Sequence, residues 1–263
     1  RRGGGTAAAE EHVAINVALY GPKGRWAMTE RGSRSLARDA ARFAVGPSHL
    51  RWEGTVLEAA IDEIAVPFPR RLKGRIRLHP ASVTGRAFAL ETGERHAWWP
   101  IAPVARVEAD FEAPELRWQG HGYTDCNWGL EPLERRFLGW DWSRAPLSDG
   151  GAALLYDPAM RDGKAQPLAL AVDAKGQVGS FEAPPRAAMR RGFWGVARET
   201  RSEAGHRPRI LNTLTDAPFY TRSLIETRLL GEDVVAMHES LSLTRFDNRL
   251  VQLMLPFRMP RRG

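Results

Sequence analysis

Along most of this 263-residue chain, apolar and polar residues alternate with period 2 rather than the 3.6 of a helix, in short runs cut by Gly and Pro. Residues 13–20 are β-rich and stop at Gly21-Pro22, residues 57–66 end at Pro67-Phe68-Pro69, and residues 75–79 end at Pro80. Residues 104–111 place Ala105, Val107, Ala109 and Phe111 on one face and Arg106, Glu108 and Asp110 on the other, which predicts a half-buried strand. Glu112-Ala113-Pro114-Glu115 can turn the chain, and residues 116–125 are expected to return as a hairpin partner. After the turn-rich residues 139–151 the pattern restarts, with strands expected at 152–156, 167–172, 224–230, 234–243 and 250–256. Helix signals are few. The best covers residues 33–43, with Ser33 as cap and a thin apolar face. Many short strands between turns predict an all-β barrel or sandwich. A boundary is expected near residue 148, dividing 1–148 from 149–263, with no sequence repeat linking the halves.

Charge changes this picture little. The net charge of +7 raises the possibility of nucleic acid, but only four of the 38 basic residues are Lys, and the arginines are scattered among acids rather than gathered in a stripe. No nucleic-acid partner is therefore expected; a basic surface touching anionic lipid fits better. Cys126 is the single cysteine, which excludes an internal disulfide framework or a multi-cysteine metal site and suits a reducing, intracellular setting. No apolar run approaches the roughly 18 residues of a membrane span. The start, Arg1-Arg2-Gly3-Gly4-Gly5, lacks a signal-peptide layout and an initiator Met, so an upstream piece is expected to be missing.

No phosphate loop, zinc signature or nucleophile elbow is present, and no metal site is expected. Two segments stand out: Glu94-Arg95-His96-Ala97-Trp98-Trp99-Pro100 and Trp118-Gln119-Gly120-His121-Gly122-Tyr123-Thr124-Asp125-Cys126-Asn127. In extended chain, His96 and Trp98 share a face, as do His121, Tyr123 and Asp125. If that face lines a barrel, an acid, imidazoles and aromatic rings share a dry cavity. Burial disfavours a charged carboxylate, so Asp125 is expected to keep a proton and to deliver it to an alkene. Trp98 and Tyr123 would stabilise the resulting carbocation, and His96 or His121 would orient the attacking water. The plainer reading is that strand Trp and Tyr fill a core and that Asp125 forms a turn. The Trp140/Trp142 pair makes one aromatic face that anchors one half on the other or lies at a membrane-side rim. His238-Glu239 is expected as a buried pair.

At these residues the sequence resembles the carotenoid 1,2-hydratase family, also called hydroxyneurosporene synthases. The resemblance is carried by residues 12–21 and 28–32, Trp99-Pro100-Ile101-Ala102-Pro103, residues 118–127, Trp140-Asp141-Trp142-Ser143-Arg144-Ala145, and residues 236–243 and 252–258. It implies a lipocalin-like β architecture in two linked barrel-like halves, the first truncated at its N-terminus. It also implies cofactor-independent addition of water across the C1–C2 double bond of an acyclic carotenoid such as neurosporene or lycopene, giving a tertiary alcohol. Purple photosynthetic bacteria use this step, which places the protein at the periphery of the cytoplasmic or photosynthetic membrane. The family's catalytic positions map onto His96, Trp98, Tyr123 and Asp125, with Asp125 as proton donor; His121, Trp99 and Trp118 are expected to bind substrate. A non-catalytic carrier of apolar polyenes is the competing reading, and a scaffold at the photosynthetic membrane a weaker one.

Overall fold

The alternation seen in the sequence is realised as antiparallel strands throughout a computed structural model that describes residues 8–262. The expected all-β, lipocalin-like class is what it shows. The predicted strand at 104–111 is part of a longer one, His96–Ala113, with Ala105, Val107, Ala109 and Phe111 all buried. Its hairpin partner Glu115–Gly129 follows after the single residue Pro114.

The chain divides into two compact units whose residues interleave. The first takes the chain up to His79, then Arg106–Gly120 and the segment from Leu253 onward; the second takes Pro80–Ala105 and His121–Gln252. The boundary expected near residue 148 is therefore not where the chain divides. Phe137–Pro146 and Ala152–Met160 are antiparallel neighbours paired from Phe137↔Met160 to Pro146↔Ala152, so residues 147–151 are a hairpin turn inside one sheet. Turn chemistry (Asp149, Gly150, Gly151) looks the same in sequence whether it joins two strands or two domains. The glycine-rich start lies outside the described residues.

In the first unit, Leu36–Arg38, Arg42–Val45, Ser48–Glu53, Val56–Ile64 and Arg71–Pro80 form a meander in chain order. Asn16–Leu19 pairs with Arg25–Met28 beside it. Ile15, Val17, Ala27, Val45, Ile61, Leu72, Ala109 and Phe111 pack as its core. Beneath this core Arg31 donates to both oxygens of buried Glu63, at 3.1 and 2.8 Å, and Ser48 donates to the same carboxylate at 2.9 Å. The ion pair is thus fully hydrogen-bonded, as burial of charge demands.

The second unit is built on a seven-stranded sheet. Its order is Val178–Ser180, Leu168–Val172, Ala152–Met160, Phe137–Pro146, Glu232–Ser242, Tyr220–Leu229, Arg209–Asp216. Both faces are covered, which is why Ala152–Met160 is buried almost without interruption. One face packs Trp142, Leu154 and Tyr156 with Phe88 and Trp98. The other packs Ala145, Leu155, Ile225 and Ala236.

Two expectations are corrected. Residues 33–43 are not a helix: a 3-10 turn at Ser33–Ser35 leads into strands Leu36–Arg38 and Arg42–Val45, paired as a hairpin. The thin apolar face could not bury a helix, whereas Asp39 accepts from the N–H groups of Ala41 and Arg42 and turns the chain. Residues 250–256 are not a strand but lie in the helix Arg249–Arg258. Asn248 caps it by accepting from the Leu250 N–H at 2.9 Å.

Gly74 tests the packing of the first core. A Cβ there would lie 2.5 Å from Phe111 Cδ1 and 2.6 Å from its backbone Cα, which cannot rotate away. We expect Gly74→Ala to lose about 2–3 kcal/mol in urea denaturation, the usual cost of overpacking; an unchanged midpoint would contradict this packing.

Candidate active site

Tyr123 and Asp125 are two residues apart on the strand Glu115–Gly129 and so project from one face, while His96–Ala113 presents Trp98. Trp98 is fully buried. Its indole Nε1 donates to Asp125 Oδ2 at 2.8 Å, and the Tyr123 hydroxyl donates to the same oxygen at 2.8 Å. Around this clamp stands a wall of rings. Trp98 lies 5.3 Å from Tyr156 and 6.2 Å from Phe88, and Tyr123 lies 5.1 Å from Trp142. Tyr156 and Trp142 are cross-strand partners, which places them side by side on that face. Burial, and then the Asp125 carboxylate beside it, hold the Tyr123 phenol well above its ordinary range, so it remains a donor. Burial likewise pushes Tyr156 up.

Trp98, Tyr123 and Asp125 are thus brought together as the sequence suggested; the other expected site residues go elsewhere. His96 is buried, but its Nε2 donates to the Glu131 carbonyl at 2.9 Å and its ring packs edge-on against Phe137 at 5.0 Å. A Cβ at Gly129 would sit 2.3 Å from His96 Cδ2, so glycine at 129 makes room for that ring. The other ring nitrogen, Nδ1, is buried without a hydrogen-bond partner and lies 3.8 Å from Glu91 Oε1, and neither nitrogen hydrogen-bonds Asp125. Trp99 faces away from Trp98 and donates to the Thr84 carbonyl at 2.8 Å. His121 is exposed. Trp118 belongs to the first unit and is half exposed beside Arg75, Arg77 and Arg117.

Three residues of the wall escaped the sequence reading. Trp142 is buried against Tyr123, not at a rim. Tyr156 was read only as part of a strand. Arg144, two residues beyond Trp142 on the same face, is buried and donates through Nε and Nη2 to the Pro103 carbonyl at 3.1 and 2.9 Å. Burial lowers it to about 10, so it stays charged at neutral pH. The signal was available: 140, 142 and 144 share the period-2 face.

The opposite face of the same sheet carries a second acid. Asp141 Oδ1 accepts from the Ser240 hydroxyl and from the Glu199 N–H at 3.2 Å, and lies 3.8 Å from His238 Nε2, which itself donates to the Glu199 carbonyl at 2.7 Å. Burial raises Asp141 to about 7 and lowers His238 to about 4. Glu239 projects to the other side and pairs with Arg222, so His238 and Glu239 are not partners of one another.

Fold and site together define a β-rich protein in which a half-buried carboxyl is held by an indole and a phenol beside a wall of buried rings. The model of the family described as carotenoid hydratase CrtC matches residues 2–263, and the chain belongs to that family. It is 54% identical over 254 residues to the acyclic carotenoid 1,2-hydratase of Thiocapsa roseopersicina and 44% identical over 255 residues to that of Rubrivivax gelatinosus. These alignments cover 96% and 97% of this chain but 62% and 63% of those proteins, so the chain spans about six-tenths of their length. The protein of the same name from Cereibacter sphaeroides is 42% identical over 96% of this chain and 90% of its own length.

Asp141 and His238 together give a testable pH signature. Asp141 ionises near 3.8 when unfolded and about 7 when folded, so its contribution is full below 3.8 and lost as pH rises through 7. His238 moves from 6.5 to about 4 on folding, so its contribution is full above 6.5 and lost as pH falls through 4. Between pH 4 and 6.5 the two slopes oppose and cancel. In Asp141→Asn only the histidine remains, and stability should fall by about 3 kcal/mol from pH 7 to pH 4 relative to wild type. Parallel urea midpoints for the two proteins across that range would contradict the assignment.

Proposed function

We propose that this chain adds water across the terminal C1–C2 double bond of an acyclic carotenoid, with Asp125 as the acid. The observation that carries the proposal is the pair of hydrogen bonds that Trp98 and Tyr123 donate to Asp125 Oδ2. An indole N–H can only donate, so Oδ2 stays an acceptor whether or not the carboxyl is protonated. Oδ1, which has no hydrogen-bond partner among the described residues, is the oxygen left to hand a proton to substrate.

Protonated Asp125 gives Oδ1–H to C2 as the alkene π pair forms the new C–H bond, leaving a tertiary cation at C1. Ring faces of the kind supplied by Trp98, Tyr123, Trp142 and Tyr156 stabilise such a cation by about 0.5–2 kcal/mol each. As the carboxylate forms, Trp98 and Tyr123 hold its charge on Oδ2 with hydrogen bonds that strengthen in that state. Water attacks C1, and the resulting oxonium returns a proton to Asp125, closing the cycle with no net proton change. His96, occupied by Glu131 and Phe137, is assigned a supporting role rather than that of base. The relatives named for this activity point to the same substrate class. Such a polyene is apolar throughout and partitions into bilayers, so peripheral membrane contact is part of the proposal. Among the described residues no helix is long and apolar enough to cross a membrane.

With lycopene or neurosporene in detergent, chromatography should detect a 1-hydroxy product, and Asp125→Asn should reduce it at least about 1,000-fold, as loss of an essential acid does. Unchanged turnover in that variant would remove Asp125 from the mechanism, and stoichiometric binding without conversion by the wild type would favour the carrier reading. Tyr123→Phe keeps the ring and loses one donor; kcat should drop about 10–100-fold, matching a charge-assisted hydrogen bond, with KM little changed. An equal loss expressed wholly in KM would show that Tyr123 serves binding alone.

A further inference from the structure

The turn Gly192–Gly195 holds two aromatic side chains in water. Phe193 is 88% exposed and Trp194 46% exposed, their rings edge to face at 5.6 Å. The turn is not slack. Gly192 N–H donates to the Val196 carbonyl at 3.0 Å, Gly195 N–H to the Gly192 carbonyl at 2.9 Å, and Phe193 N–H to Asp216 Oδ2 at 2.7 Å. Arg245 donates to the Trp194 carbonyl and Arg191 to that of Gly195. The backbone that carries Phe193 and Trp194 is thus fixed by hydrogen bonds, while both rings remain in solvent.

Beside the turn opens a cleft of about 810 Å³ lined by Phe193, Arg190, Arg191, Arg198 and Asp216. Its floor is Arg198, 4% exposed, whose Nη1 donates to Thr213 Oγ1 and whose Nη2 donates to Asp216 Oδ2, both at 3.2 Å. The Arg198 Nε and Asp216 Oδ1 are buried without a hydrogen-bond partner. Arg190 stands close enough for its charge to depress that of Arg198, which burial already lowers. Three arginines face one aspartate here, and that aspartate is already engaged by Arg198 and by the Phe193 N–H. Like charges gathered around a buried, incompletely bonded guanidinium are relieved by an anion.

We propose that this turn and cleft form a membrane-docking site, in which the arginines take the phosphate of an anionic phospholipid headgroup while Phe193 and Trp194 enter the interfacial layer of the bilayer. Aromatic side chains favour that layer, and guanidinium groups favour its phosphates. A soluble phosphate would use the arginines and leave the rings in water; a bilayer uses both. The inference deepens the hydratase reading by naming where the protein meets the membrane that holds an apolar substrate.

The test is co-sedimentation of the purified chain, without carotenoid, with vesicles of pure phosphatidylcholine or of phosphatidylcholine and phosphatidylglycerol. Wild type should bind the anionic vesicles at least about tenfold more tightly and lose that advantage in high salt. Arg190→Gln and Arg191→Gln should each weaken binding about fivefold, and Phe193→Ser should weaken it further even at low salt. All three positions are exposed, and hydration of detergent-dispersed lycopene should be unchanged in each variant, which separates docking from folding and from chemistry. Equal affinity of wild type and variants for anionic vesicles would overturn the proposal, as would variants that alter self-association but not vesicle binding, since the patch would then be a protein interface. Loss of hydration in Asp125→Asn with vesicle binding retained would support the docking site independently of the catalytic assignment, while an inactive wild type that still docks would defeat the hydratase reading alone.

Discussion

The interaction on which the proposed site depends is a single carboxyl oxygen shared by an indole N–H and a phenol O–H. Because Trp98 Nε1 has a proton and no lone pair to offer, Asp125 Oδ2 can only accept from it, and the Tyr123 hydroxyl adds a second donor on the same atom. Rings of the second unit pack against both donors. Trp98 is immobilised by full burial, Tyr123 leans on Trp142, and Tyr156 closes the wall behind Trp98. Removing any of these rings would loosen the geometry without touching the acid itself.

The sheet behind the clamp has two chemically different sides. On one, Trp142, Leu154 and Tyr156 pack against rings; on the other, Asp141, His238 and Ser240 sit in a polar layer bonded to the Glu199 backbone. Adjacent residues of one strand, Asp141 and Trp142, therefore live in unlike surroundings, a direct result of the period-2 geometry. Folding moves one proton from imidazole to carboxyl at mildly acid pH, so the polar layer is buried without net charge. That is the inexpensive way to place an acid and a base inside a protein.

How much of this could be read from residues alone depends on which physical signal carried it. Alternation at Ala105, Val107, Ala109 and Phe111 announced a strand correctly because only local geometry was involved. Trp98, Tyr123 and Asp125 were legible for the same reason, since i, i+2 spacing fixes a face before any tertiary contact forms. His96 followed the same rule and still went elsewhere: sharing a face does not decide what a nitrogen bonds, and the Glu131 carbonyl lies 35 residues away in sequence. Tyr156 and Trp142 needed the pairing of two strands to be known. The helix at 249–258 was misread because its apolar residues are nearly continuous, and the decisive signal was the single cap Asn248. The division of the chain was misplaced because no local pattern marks a strand that leaves one unit and continues in another.

That interleaving has a bearing on how the first unit folds. Glu30 makes backbone hydrogen bonds with Pro260 and Arg262, and the Trp26 indole donates to the Arg258 carbonyl. These partners stand 232 residues apart at Trp26 and Arg258. Pairings of such long reach must meet a large loop-closure entropy before they form, so the edge of this unit near Trp26 and Glu30 is expected to be secured late in folding.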